Sequence, residues 1–363
     1  MRRAKLWLVA AVCALAGVAV VGVVIDLRGA DGEAALYDAG QAALAAQRWE
    51  EAVTDFEAVM DLDPGYRDAN EKLSEALYLG GSSYLEGGRF DEAITWLQQV
   101  VSVYGEAEEK LAQALEASVV YIPAGEFTMG SSSGDVDERP ERQVYLDAFE
   151  IDKYEVTNVQ YRRFLLATER EGPHRWSGRY VHLSSRRDPD WHGVAYPPGE
   201  GMYPAAGVRW PDARDYCAWA GKRLPTEAEW EKAARGAKGR TYPWGDDWDA
   251  TPANTAESVR EYPQPVGSYP SGANPYGALD MAGNVWEWVS DWYDREYYTY
   301  APDANPPGPP PGTGERILRG GAWDSSPDQV RASYRNASHF FGPNFRVGFR
   351  CARSPASRLE NVG

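Results

Sequence analysis

The chain is short of the residues that usually carry redox and metal chemistry. Of its 363 residues, three are cysteine and four are histidine. His174, His182, His192 and His339 show no metal-ligand spacing, which argues against a histidine metal centre. One cysteine, Cys13, lies near the N-terminus, so only Cys217 and Cys351 remain in the rest of the chain. Basic charge is also scarce. Lys and Arg number 37 against 54 Asp and Glu, a formal net charge of −17. That balance argues against nucleic-acid binding, because phosphate contacts need a basic surface. It argues equally against docking of the soluble part on anionic lipid. Acidity alone names no partner; solubility is the simplest reading.

What is present is enough for two domains and an anchor. Hydrophobic residues make up 43%, with 14 Trp and 22 Tyr. Trp buries a large area and needs a partner for its N–H, so the chain should be rich in fixed, hydrogen-bonded loops. Arg2, Arg3 and Lys5 precede an uncharged run of 20 residues, Leu6 to Ile25, and Asp26 follows. That length spans a bilayer as a helix, and the flanking charges place the N-terminus in the cytoplasm. Residues 1–30 are therefore expected to be a transmembrane anchor, with Cys13 a small apolar residue inside it. A cleaved signal peptide is the alternative; its apolar region is usually shorter. Both readings place the soluble domains in the periplasm or outside the cell.

Residues 33–115 contain no proline but Pro64. Ala45, Trp49, Ala52, Phe56 and Val59 recur at helical spacing. The pattern Gly40, Arg48-Trp49-Glu50-Glu51-Ala52, Phe56 returns as Gly81, Arg89-Phe90-Asp91-Glu92-Ala93, Leu97, displaced by 41 residues. Small residues at Gly40/Gly81 and Ala52/Ala93 let paired helices approach, and Phe56/Leu97 fill the groove between them. This resembles tetratricopeptide repeats, although their period is shorter. Two repeats are fewer than such arrays usually need, so they are expected to pack on the following domain or on another chain. They are read either as a rigid spacer or as a peptide-binding groove.

From Val119 the composition shifts toward Gly, Pro and aromatics. Val119–Gly130 reads as strand, turn and strand, and Val144–Lys153 as one further strand. Helices are expected after Thr157, over Pro211–Ala220, and after Thr226, where Glu229 completes a capping box. Long Gly/Pro loops fill 241–274 and 300–314.

Four short clusters then follow in order: Arg223-Leu224-Pro225-Thr226-Glu227-Ala228-Glu229-Trp230, Gly283-Asn284-Val285-Trp286-Glu287-Trp288, Arg319-Gly320-Gly321-Ala322-Trp323, and Gly348-Phe349-Arg350-Cys351. With Ile122–Gly130 and Tyr154-Glu155-Val156-Thr157-Asn158, they resemble the formylglycine-generating enzyme, or sulfatase-modifying factor, family. The resemblance covers about Tyr121 to Arg353. It implies an α+β domain related to C-type lectins over 119–354, with 355–363 a tail, behind an all-α repeat domain and the transmembrane helix. It also implies calcium, held by Asp280, Glu287 and the carbonyls of Gly283 and Val285, since calcium prefers several hard oxygens. A second site would use Asn254 and the Thr255 carbonyl, but the aspartate that completes it in the family is missing. Glu257 and Glu261 lie nearby. Cys217 and Cys351 match positions that form a structural disulfide in some relatives; two buried thiols are the alternative.

The family reaction oxidises a substrate cysteine to formylglycine at copper(I), a soft ion held by two thiolates. Both thiolates are missing from the segment after Arg319-Gly320-Gly321. Ser325 stands near the first cysteine position, and the second falls in a deletion near Gln329. Copper is therefore not expected. A Ser-His-Asp arrangement through Ser325 or Ser326 and His339 lacks a nucleophile elbow. By resemblance, a binding groove would be floored by Trp323, Arg331, Tyr334 and Arg335, with Trp286 behind. Arg331 and Arg335 either share one helical face as an anion site or pair with carboxylates such as Asp280 or Asp291. Large aromatics in such motifs equally serve as core. Three readings stand: a non-catalytic module binding a protein, peptide or glycan; an enzyme of this fold with other chemistry; and a scaffold whose repeats dock a partner.

Overall fold

The computed structural model describes residues 32–170, 196–258, 260, 262–312, 314–339 and 344–355. The expected membrane helix and the tail from 356 onward lie outside the described residues, as do Glu261, His174, His182 and His192. No described helix is long and apolar enough to cross a membrane. The chain divides into two compact units, Met1–Ala76 and Leu77–Gly363.

In the first unit, α1 (Gly32–Ala45) and α2 (Trp49–Leu62) form a helical hairpin. Gly40 is there because a Cβ would stand 2.9 Å from the Phe56 ring. Helix α3 (Ala69–Glu86) runs on into the second unit, where α4 (Phe90–Leu97) and α5 (Gly105–Ala117) follow. There Gly81 meets Leu97 as Gly40 meets Phe56: a Cβ at Gly81 would stand 2.8 Å from Leu97 Cγ. The small-against-large pairing legible in the sequence is thus what closes both hairpins.

Helix α5 packs on α6 (Asn158–Thr168), and charge joins the two: Arg162 to Glu108 at 2.7 Å and Arg163 to Glu109 at 2.7 Å. Lys153 reaches back to Asp91 of α4 at 2.6 Å. The later helices of the repeat region, α4 and α5, are therefore packed against the domain that follows them.

That domain begins with β1 (Val119–Ile122) and β2 (Gly125–Met129). The single strand expected over 144–153 is two strands, β3 (Arg142–Leu146) and β4 (Phe149–Asp152), because they pair with different partners. β2 and β3 form a hairpin, while β4 lies between β1 and β9 (Ala352–Arg353). Helix α7 (Trp210–Trp219) follows, and then α8 (Glu227–Arg235), whose Thr226 cap accepts the Glu229 N–H at 3.1 Å. A four-stranded sheet, ordered β7-β6-β5-β8, carries the remaining motifs: β5 (Trp286–Trp292), β6 (Glu315–Arg319), β7 (Asn336–His339) and β8 (Val347–Phe349). β5 and β8 are parallel and the other pairs antiparallel. Trp230 of α8 and Trp288 of β5 are fully buried, and each indole N–H is bonded, to Glu287 at 2.7 Å and to the Val208 carbonyl at 2.9 Å. The cysteines Cys217 of α7 and Cys351, next to β9, are joined as a disulfide.

Candidate functional site

The segment after β6 turns sharply at two glycines with positive φ, Gly320 and Gly321. A Cβ on Gly321 would stand 2.5 Å from Val330, so only glycine fits. The turn carries Ser325 inward, where it is buried. Its hydroxyl accepts the Ala322 N–H at 2.9 Å, and its own N–H donates to the Ala322 carbonyl at 2.9 Å. Ser325 thus closes a turn. His339 lies at the exposed end of β7 and faces Gly314 and Glu315, so the serine–histidine reading finds no support.

The expected groove residues separate. Trp323 is 8% exposed and belongs to the core together with Trp286, Trp288 and Phe349. Arg335 is buried and forks onto Glu227 at 2.7 and 3.0 Å. Arg331 forks onto Glu138 at 2.7 and 2.8 Å. The two arginines do not share a helical face, because a 3-10 turn (Pro327–Val330) ends just before Arg331 and β7 begins at Asn336. Both guanidinium charges are neutralised by carboxylates more than 100 residues away in sequence, not by Asp280 or Asp291. Such partners leave no local signal. Tyr334 does remain half-exposed, its ring 6.0 Å from that of Trp286.

What stands open beside Ser325 is a depression of about 350 Å³. Trp286 and Leu318 form its base, and Asp324, Ser325, Gln329, Asn336, Ser338, Asn344 and Arg346 contribute polar groups. Asp324 and Arg346 pair at 2.7 Å. A neighbouring hollow on the other side of Gln329 contains Asp135, Asp328, Arg331 and Tyr334.

The residues expected to hold calcium surround one buried knot. Glu287 receives the Arg350 guanidinium at 2.8 Å on each carboxylate oxygen and the Trp230 N–H at 2.7 Å. It is a structural anion rather than a free ligand. The Asp280 carboxylate accepts the Gly267 N–H at 2.7 Å. Gly283 has φ of +79°, and a Cβ would stand 2.1 Å from the Asn254 carbonyl oxygen; its N–H donates to the Gly320 carbonyl. The N–H of Val285 goes to Glu155 at 3.1 Å, and the Asn284 amide reaches the same carboxylate at 2.6 Å. Glu155, which in the sequence is only one residue of the Tyr154-Glu155-Val156 stretch, is thus a member of this knot that the sequence does not single out.

Burial raises the pKa of Glu155 well above the usual carboxylate range, and the negative charges of Asp280 and Glu287 push it further. Burial also lifts Asp280, to about 6. Three buried carboxylates face one guanidinium, a local excess of negative charge that a hard cation would relieve. Among the described residues, no three His, Cys, Asp or Glu side chains converge as a metal-ligand set, so calcium here would draw on amide and carbonyl oxygens as well. The donors fit calcium through Glu155 and Asp280 and do not fit it through Glu287. At the second expected site the Asn254 side-chain oxygen and the Thr255 carbonyl both lie on the Ser258 hydroxyl, at 2.8 and 2.7 Å. Glu257 is turned to the Trp248 N–H at 3.0 Å. Among the described residues, no free carboxylate completes that donor set, and it does not fit calcium.

The profile of the sulfatase-modifying factor enzyme 1-like domain matches residues 104–355. The chain belongs to this family. Tetratricopeptide repeats match at 34–66 and 75–107. The chain is 41% identical over 263 residues to the serine/threonine-protein kinase Pkn1 of Chlamydia trachomatis serovar L2, covering 70% of this chain and 42% of that relative. It therefore spans less than half the length of that protein. It is 37% identical over 284 residues to the formylglycine-generating enzyme of Streptomyces coelicolor, covering 64% of this chain and 88% of the enzyme. The inactive C-alpha-formylglycine-generating enzyme 2 of Mus musculus is 32% identical over 297 residues, covering 70% and 91%. PvdO from Pseudomonas aeruginosa superposes with a TM-score of 0.53 at 30% identity, covering 65% of this chain and 94% of that one. Family membership thus spans proteins named as enzymes and a protein named as inactive, and the site itself has to decide between them.

Proposed function

We propose that this sulfatase-modifying factor domain is a binding module without copper oxidase activity. The observation that carries this reading is the disulfide between Cys217 and Cys351. Copper(I) needs two thiolates. With these cysteines joined, the sequence retains one further cysteine, Cys13, inside the N-terminal apolar run. Ser325 offers no substitute, since its hydroxyl is a hard, neutral group that already accepts a backbone N–H. Calcium at Glu155 and Asp280 is read as structural: bound there, it would neutralise the excess charge that those carboxylates bring into the core. The N-terminal run is read as a membrane anchor holding the repeats and the domain on the periplasmic or extracellular side. The helical repeats support a protein partner in general terms.

The test offers the chain copper(I), oxygen and a cysteine-containing sulfatase-motif peptide. Mass spectrometry is expected to find the peptide unchanged. Conversion of its thiol to an aldehyde would overturn the reading.

A further inference from the structure

The register of the four-stranded sheet places polar side chains where its pattern calls for apolar ones. Residues directly opposite on neighbouring strands share a face. Trp288 lies opposite Leu318, and Leu318 opposite Asn336. Trp288 and Leu318 are core, and the same face continues along β7 to Ser338, two residues on. An edge strand continuing that core would carry Val, Ile or Leu here. Instead the face ends in Asn336 and Ser338, which line the depression beside Ser325.

The hydrogen bonding shows what this lining offers. The Asn336 side-chain oxygen accepts the Ala337 N–H at 2.8 Å, and that of Asn344 accepts the Arg346 N–H at 3.1 Å. Each amide is thereby held by its oxygen, which leaves its NH₂ end as a donor. The Gln329 oxygen accepts the Ser326 N–H at 3.0 Å, and its side chain also hydrogen-bonds Tyr334, so both of its ends are engaged. Asp324 and Arg346 cancel each other's charge. Among the described residues the hollow is therefore neutral, rich in fixed amides and hydroxyls, and without an exposed apolar anchor. An anion would require net positive charge. A peptide anchor would require an apolar or aromatic pocket. A volume of about 350 Å³ is at the small end of ligand sites, which run from roughly 300 Å³.

We propose that this depression binds a neutral polyhydroxylated ligand, one sugar residue of a glycan, with Asn336 and Asn344 donating to its hydroxyl oxygens. The proposal rests on the binding-module reading and names the ligand class of that module.

Saturation-transfer NMR on the full chain, with the methyl glycosides of glucose, galactose, mannose and N-acetylglucosamine, tests it. Transfer to the ring protons of at least one glycoside is expected. Asn336→Leu should weaken that binding about tenfold while leaving Tm unchanged or raised, because leucine completes the core face. Ser338→Ala is the milder companion and should weaken binding at unchanged Tm. Absence of transfer from all four glycosides to the folded chain would overturn the proposal, as would undiminished binding by both variants. Transfer to an uncharged Gly-Ser peptide in place of the sugars would overturn the ligand class and leave the binding module standing. Aldehyde formation in the copper assay would instead remove the module itself.

Discussion

At the scale of single residues, buried charge decides most of what this domain tolerates. Glu287 lies in the Gly283–Trp288 cluster that carries the family resemblance, yet it holds Arg350, which is fully buried. Removing one partner of such a pair leaves the other charge uncompensated, a loss of about 3–5 kcal/mol. Glu287→Gln is therefore expected to lower Tm with or without calcium. Glu155→Gln should behave differently. It removes one of the crowded carboxylates, so the variant should keep its calcium-free Tm and lose the calcium-dependent rise expected of the parent. A calcium titration followed by thermal unfolding separates the two, and an equal calcium response in Glu155→Gln would exclude that ligand. Asp291 gives a pH signature. It is buried beside Glu227, and burial first and that neighbour second lift its pKa to about 7. Between about pH 4 and pH 7 the folded state holds a proton that the unfolded chain has released, so this group's contribution to stability falls as pH rises through that range. Asn at 291 carries no such charge. The Tm of Asp291→Asn relative to the parent is expected to climb from pH 5 to pH 8; a constant difference would refute the assignment.

At the scale of elements, the sequence located helices better than it located strands or their partners. Thr226 and Glu229 lie three apart, so their capping box is a local fact and was legible. Gly40 and Phe56, like Gly81 and Leu97, were legible because the repeat presents the same packing problem twice. The break between β3 and β4 was not, since it depends on β3 pairing with β2 and β4 pairing with β1 and β9. Nor was the fate of Arg331 and Arg335, whose four-residue spacing suggests a helix that the 3-10 turn and β7 replace. The disulfide ties helix α7 to the residue before β9 across 134 residues. By the chain-entropy model it stabilises the domain by about 4–5 kcal/mol. Reduction, or Cys217→Ser with Cys351→Ser, should lower Tm by roughly 10 °C or more. A shift of only a degree or two would mean that the α7–β9 packing holds without the bond.

At the scale of the whole molecule, the run from Leu6 to Ile25 sets a further expectation. Carbonate washing of membranes from cells expressing the full chain should leave the protein in the pellet, and its release into the wash would exclude an uncleaved anchor. The family and its α+β core follow from motif order alone: short clusters of Gly, Trp and Arg are rigid local structures, and their sequence in the chain is enough to name the domain. The missing thiolates in 324–330 are equally a matter of sequence, because no fold turns a serine into a soft ligand. The tertiary structure decided where the charges go. Which carboxylate meets Arg350, why Glu155 crowds Asp280, and why the open hollow is lined by Asn336, Ser338 and Asn344 rather than Trp323 and Arg335 all depend on contacts between residues far apart in sequence. Buried ion pairs and strand register are made by the folded core, where distance in the chain has no bearing on distance in space.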